Sequence, residues 1–265
     1  MRKLRIIPRL DIKGENLIKG IQLEGVRVLG NPNIFAKKYY HNGADELLYM
    51  DAVASLYGRN NLKELIKKAV KDVFIPITVG GGIRSIEDAY DILRSGADKI
   101  AINTAAVKRP NLIKELSNEF GSQSIVVSVE AKQQSKSDWE VYVESGREKT
   151  GIKVFDWIKK AESLGAGEIL ITSVDREGTK KGFDTELLKN VTQITKLPII
   201  ASGGMGKLED FKNVSSKANV DAVAIATVFH YNLISVQDVR DYGLNNKMNL
   251  RNFRWVKKKF QFQFH

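Results

Sequence analysis

Two carboxylates stand at matching places in the chain: Asp11 follows the apolar run Arg5–Leu10, and Glu130 follows Ile125–Val129. A pair of carboxylates whose surroundings set their pKa values apart is what general acid–base chemistry needs. The plainer alternative is that each caps a strand or pairs with a nearby lysine, Lys13 or Lys132. Glycine gives a second signal. Gly80-Gly81-Gly82 and Gly203-Gly204 each follow a short apolar run, and such segments let backbone amides approach an anion closely. One apolar run after each come small polar residues, Asn103-Thr104 and Thr227. Two opposed cradles of this kind would hold a ligand with a phosphate at each end. The competing reading is that the glycines only relieve crowding.

Other chemistries are excluded by composition. The 265 residues contain no cysteine, which removes disulfides, thiolate metal sites and cysteine nucleophiles. His41, His230 and His265 are too scattered to suggest a metal site, and no motif calls for a cofactor. The formal charge of +11 could indicate nucleic acid, yet Arg251, Arg254, Lys257, Lys258 and Lys259 supply nearly half of it, leaving +6. That remainder suits an anionic small-molecule substrate better than a nucleic acid. Charges and Pro8 interrupt the first ten residues, so neither a signal peptide nor a membrane span is predicted, and a cytoplasmic location is the default expectation.

The elements that must position these groups follow from short apolar runs alternating with helical periodicity. The runs are Arg5–Leu10, Glu46–Met50, Ile77–Val79, Lys99–Ile102, Ile125–Val129, Glu168–Thr172, Ile199–Ala201 and Ala222–Ile225. Between them lie stretches such as Asn61 to Val70, with Leu62, Leu65, Ile66, Ala69 and Val70 on one helical face. Eight such units in one chain of this length predict an α/β fold, a (β/α)8 barrel. The halves echo each other about 120 residues apart: Gly43-Ala-Asp-Glu-Leu-Leu returns as Gly165-Ala-Gly-Glu-Ile-Leu, and Ala97-Asp-Lys-Ile-Ala-Ile as Val220-Asp-Ala-Val-Ala-Ile. Two similar half-barrels are therefore expected in a single domain, 1–250, followed by a basic, aromatic tail, 251–265. Long connections after the first run (Ile12 to about Pro32) and the fifth (Ala131 to about Ile152) would form lids or substrate walls, the second with a small hairpin around Trp139–Val143 closed by Ser145-Gly146.

These motifs, in this order, resemble the cyclase subunit of imidazole glycerol phosphate synthase: Pro8-Arg-Leu-Asp-Ile-Lys, Thr78-Val-Gly-Gly-Gly-Ile, Asn103-Thr-Ala-Ala, Phe120-Gly-Ser-Gln, Gly165-Ala-Gly-Glu-Ile-Leu, Ser173-Val-Asp-Arg-Glu-Gly-Thr and Ile200-Ala-Ser-Gly-Gly. The resemblance runs from about Leu4 to Tyr242. It implies a lyase of histidine biosynthesis that takes ammonia from a separate glutaminase subunit as a heterodimer. The ammonia reacts with a bis-phosphorylated aminoimidazole carboxamide ribulosyl nucleotide. It further implies Asp11 as a catalytic aspartate and Gly82, Asn103 and Thr104 as one phosphate site. Asp175, Gly178, Gly203 and Gly204 fall in motifs of the other, Lys19 is the loop lysine, and Arg5, Glu46, Lys99 and Glu168 ring an ammonia passage. Asp98 and Gln123 are expected near the partner contact. Two positions depart from the family pattern: its Cys-Leu-Asp is Arg9-Leu10-Asp11 here, and its second catalytic aspartate is Glu130. The longer carboxylate points to an alternative, a paralogue relaying ammonia to an amidotransferase that makes nitrogen-containing surface sugars. A non-catalytic phosphate-binding barrel is the third reading.

Overall fold

The computed structural model describes residues 3–54 and 62–253. Asn61 and residues 254–265 of the expected tail lie outside them. The strands are β1 (Arg5–Lys13), β2 (Asn16–Ile21), β3 (Glu24–Gly30), β4 (Leu47–Asp51), β5 (Ile77–Gly80), β6 (Lys99–Ile102), β7 (Ile125–Ser135), β8 (Asp138–Val143), β9 (Glu148–Lys153), β10 (Glu168–Ser173), β11 (Ile199–Ser202) and β12 (Ala222–Ile225). Eight of them pair in parallel in the order β1, β4, β5, β6, β7, β10, β11, β12, and β12 returns to β1 to close the barrel, with Arg5 opposite Ala222. The principal helices among the described residues are α1 (Pro32–His41), α2 (Leu62–Ala69), α3 (Ile86–Arg94), α4 (Thr104–Lys108), α5 (Asn111–Phe120), α6 (Val154–Ser163), α7 (Thr185–Ile194), α8 (Leu208–Ala218), α9 (Thr227–His230) and α10 (Val236–Asn245). None is long and apolar enough to cross a membrane.

Side chains alternate across each strand, so the barrel sorts its apolar residues into two clusters. The larger lies between sheet and helices; α2, for example, buries Leu62, Leu65, Ile66 and Ala69 there. The smaller fills the bore with Ile7, Leu48, Ala101, Val126, Leu170, Ile200, Ala222 and Ala224, and Met50 packs against it. At the N-terminal end, Asp45, Asp98 and Asp221 each accept a backbone N–H from the start of a neighbouring strand, from Ile6, Ile77 and Ile199 respectively. Arg240 on α10 is fully buried and donates to Gly43 O, Asp45 Oδ2 and Arg251 O, each at 2.7 Å, clamping the last helix and residue 251 onto the barrel.

The two long connections expected as lids or substrate walls, the second with a small hairpin, are strand extensions of the sheet. The chain after the first apolar run does not leave the sheet: β1 continues to Lys13 and turns into the antiparallel strands β2 and β3. Asp11 therefore sits within a strand, opposite Ile18, instead of just past its end. Likewise β7 runs on to Ser135 and pairs with β8, which pairs with β9, so Glu130 also lies inside a strand, opposite Tyr142. The expected hairpin around Trp139 thus gains a third strand. Each half-barrel carries one such arm, rooted on its first strand.

Candidate active site

The two arms bring distant residues to the carboxylates. On the first, Lys19 of β2 folds inward and is buried, with its ammonium 3.4 Å from Asp11 Oδ2 and paired to Glu177. Gly178 makes this seat: its φ is +74°, and a Cβ there would lie 2.5 Å from Gly20 O and 2.9 Å from Ile21 Cα. Gln22 N also donates to Glu177 O at 2.8 Å. On the second arm, the turn after β8 presents Gly146 N–H to Glu130 Oε2 at 2.7 Å.

Arg9 is the other partner of Asp11. Its guanidinium lies inside the barrel, Nε 2.8 Å from Asp11 Oδ1 and Nη1 2.9 Å from Thr172 Oγ1 and 3.2 Å from Ser202 Oγ. Both oxygens of Asp11 are thus held by cations. Lys13 and Lys132 do not neutralise the carboxylates: Lys13 is exposed, and Lys132 lies over the Tyr142 ring, 5.1 Å from its centroid.

These environments separate the two acids. Burial alone would raise the Asp11 carboxyl, but the charges of Arg9 and then Lys19 outweigh it and hold the group down at about 2. Burial pushes Glu130 up to about 7; the Gly146 N–H and Arg9 oppose this only in part. Lys19 is held as a cation, since the charges of Glu177 and Asp11 overcome its burial. His230, whose Nδ1 lies 2.6 Å from Tyr39 Oη, is pushed down to about 4 by burial and the charge of Lys19, and is neutral at pH 7.

Asp11, Arg9, Lys19 and Glu130 border one cavity of about 90 Å³. Glu130 also borders a larger one of about 330 Å³, lined by Gly81, Gly82, Asn103 and Thr104. A third, narrow recess is lined by Gly178, Gly203, Gly204, Thr227 and Glu177. The two glycine pairs share a backbone signature, with φ of +101° and +73° at Gly81 and Gly82 and of +98° and +109° at Gly203 and Gly204. Asn103 and Ala226, before α4 and α9, share another (φ −131°, ψ −89° and φ −123°, ψ −74°). Asp175 does not line that recess. Its carboxylate accepts the Gln133 N–H at 2.8 Å and braces the second arm.

At the opposite end of the bore, Arg5, Glu46, Lys99 and Glu168 form a closed cycle of alternating charge. Arg5 bonds Glu46 at 2.6 Å and also Glu168; Lys99 lies 2.9 Å from Glu168 and 3.5 Å from Glu46. The Asp98 carboxylate on this face is occupied by Ile77 N–H, and Gln123 Nε2 donates to Phe120 O.

Sequence reasoning placed the carboxylates and the ring but missed the groups that set their state. Glu177 and Gly146 stand 158 and 16 residues from their partners, and no local pattern joins them. Arg9 was visible as a departure, though its reach to Thr172 and Ser202 was not.

Comparison with known proteins gives the same picture along the chain. A profile described as "Histidine biosynthesis protein" matches residues 5–235. "Imidazole glycerol phosphate synthase subunit HisF" of Legionella pneumophila is 62% identical over 211 residues, 80% of this chain and 100% of the relative. Proteins of the same name from Clostridium botulinum (45% over 252 residues, 95% and 100%) and Alkaliphilus metalliredigens (44% over 232 residues, 88% and 92%) align over nearly their full lengths. A match that begins on the first barrel strand and takes in both carboxylates, both glycine pairs and the charged ring makes this chain a member of the histidine biosynthesis protein family.

Proposed function

We propose that the chain is the cyclase subunit of imidazole glycerol phosphate synthase. It uses ammonia from a glutaminase partner to convert a bis-phosphorylated aminoimidazole carboxamide ribulosyl nucleotide to imidazole glycerol phosphate and an aminoimidazole carboxamide ribotide. The observation that carries this reading is that a carboxyl poised near neutral pH, Glu130, and a fixed anion, Asp11, border one cavity between two glycine-lined recesses.

The ribulosyl carbon is a ketone. For ammonia to replace its oxygen, that oxygen must gain protons while the nitrogen loses them. Glu130, near equal parts neutral and charged at pH 7, is suited to both transfers. Asp11, held ionised, is suited to stabilise positive charge developing on nitrogen, which requires no proton. The phosphates would sit against Gly82, Asn103 and Thr104 on one side and Gly178, Gly203, Gly204 and Thr227 on the other, bound largely by backbone amides. Lys19 is placed to shield the mouth from water, carried by an arm that is itself anchored at Glu177. Ammonia would enter past Arg5, Glu46, Lys99 and Glu168, with the glutaminase docked over that face beside Asp98 and Gln123, in the cytoplasm.

The test is an assay of the purified chain with the nucleotide and an ammonium salt, following formation of the imidazole product. Turnover at saturating ammonium supports the reading; none in folded protein overturns it. Co-purification with the glutaminase, together with loss of glutamine-driven turnover in Lys99→Ala, tests the partner.

A further inference from the structure

Arg9 and Met50 stand on adjacent strands, β1 and β4, where the apolar bore meets the mouth, and they lean opposite ways around the ring. Arg9 reaches past β12, whose bore residues are only Ala222 and Ala224, to Thr172 on β10 and Ser202 on β11. Met50 leans over β5 toward β6: a Cβ built on Gly80 would lie 2.6 Å from Met50 Sδ, 2.9 Å from its Cε and 3.0 Å from Ala101 Cβ. The missing side chain of Gly80 and the short one of Ala101 are what make room for it. Met50 also lines both of the larger mouth cavities, together with Asp51, Glu130 and Ser145, and so stands where they adjoin.

The two side chains differ in freedom. Moving the Arg9 guanidinium would break three hydrogen bonds and leave the buried Asp11 anion short of a cation. Met50 is an unbranched thioether held by packing alone, and such a chain changes rotamer at little cost.

We propose that these residues form a second closure on the ammonia passage, Arg9 its fixed part and Met50 its moving part, so that ammonia leaves the bore on the Glu130 side. This rests on the cyclase reading above. A swing of Met50 away from Gly80 opens the space beside Ala101, which lines the same cavity as Asn103 and Glu130, while Arg9 stays bonded to Asp11. The largely apolar bore disfavours ammonium by desolvation, and the fixed guanidinium repels any cation that follows, so neutral ammonia is the species delivered.

The experiment uses the full complex with the glutaminase and compares glutamine-driven with ammonium-driven turnover. Ammonium from solvent reaches the mouth directly; glutamine-derived ammonia must cross the bore. Met50→Phe, which fills the space over Gly80 and Ala101, is expected to lower the ratio of the two rates by about tenfold or more, with Met50→Leu staying within about twofold of wild type. Gly80→Ala, which presses on the Met50 thioether from β5, is expected to lower the same ratio several-fold. Thermal unfolding identifies any variant that fails to fold, and if Met50→Phe is one, Gly80→Ala decides. An unchanged ratio in the folded variants overturns the closure. Wild type inactive even with saturating ammonium overturns the cyclase reading, and the closure falls with it.

Discussion

Asp11 and Glu130 occupy equivalent strands of two similar half-barrels, yet the halves treat them in opposite ways. Each half inserts an antiparallel arm after its first strand, and each arm brings one group to the local carboxyl. Arg9 of β1 does most to hold Asp11 ionised, and the first arm adds the ammonium of Lys19. The second delivers a single neutral N–H from Gly146, too little to offset burial, and leaves Glu130 protonatable near pH 7. Equivalent positions in the fold therefore place an acid at each side of the mouth, and the cations Arg9 and Lys19 on one side against burial on the other decide what kind of acid each is.

The comparison breaks most visibly in turnover. Removing a positioned proton-transfer group costs about 10²–10⁴-fold in rate, so Glu130→Gln should lose at least about a hundredfold in ammonium-driven kcat. Asp11→Asn should fall comparably, yet Asp11→Glu, still an anion between two cations, should recover part of the loss; a steady-state assay of the three variants checks this.

Next in size is the anchor of the first arm. Lys19→Met leaves Glu177 without its cation and Asp11 with one in place of two. Breaking a buried pair costs about 3–5 kcal/mol, which for a chain of this size is a fall of roughly 10 °C in Tm. Calorimetry of Lys19→Met beside Lys19→Arg measures it. A fall of only a degree or two would show that Lys19 is not held as described.

Smaller still is a pH effect with a definite sign. Glu130 has a folded pKa of about 7 against an ordinary 4.5, so the folded state binds its proton more tightly than the unfolded chain. Its stabilising contribution is fully present below about pH 4.5 and lost as pH rises through 7, by up to about 3 kcal/mol. His230, held down at about 4, acts in the opposite sense between pH 4 and 6.5. The difference between wild type and Glu130→Gln isolates the carboxyl: urea unfolding at pH 5 and pH 8 should show the variant gaining on wild type as pH rises.

Least affected should be Lys132→Ala. Lys132 is the sequence neighbour that could have neutralised Glu130, but its contact is with the Tyr142 ring. Its loss should cost less than about 1 kcal/mol and leave the pH dependence of Glu130 in place; the same unfolding series reads both.

Much of the frame was legible in the sequence, because a parallel barrel strand buries both faces and reads as a short apolar run between helical periods. Lys99–Ile102 and Ala222–Ile225 coincide with β6 and β12, and the other runs differ from their strands mainly at their ends. The arms were less legible for a physical reason. Every residue of β3 from Glu24 to Gly30 is exposed or only half-buried, so the run carries no burial alternation, and its turn with β2 places the non-glycine residues Gln22 and Leu23 at φ of +52° and +66°. Nor could spacing show that Glu177, two residues beyond the expected Asp175, turns inward to Lys19 while Asp175 turns outward to Gln133.

The closure of the sheet, with β12 back against β1, also bears on how the molecule is assembled. A ring has no unpaired border, but a chain with only its first half folded has two, β1 and β6, awaiting β12 and β7. The second half of another copy carries the same strands β7 and β12 and so competes to supply those partners. Refolding therefore sets intramolecular ring closure against exchange between molecules, and dilution favours the closed monomer.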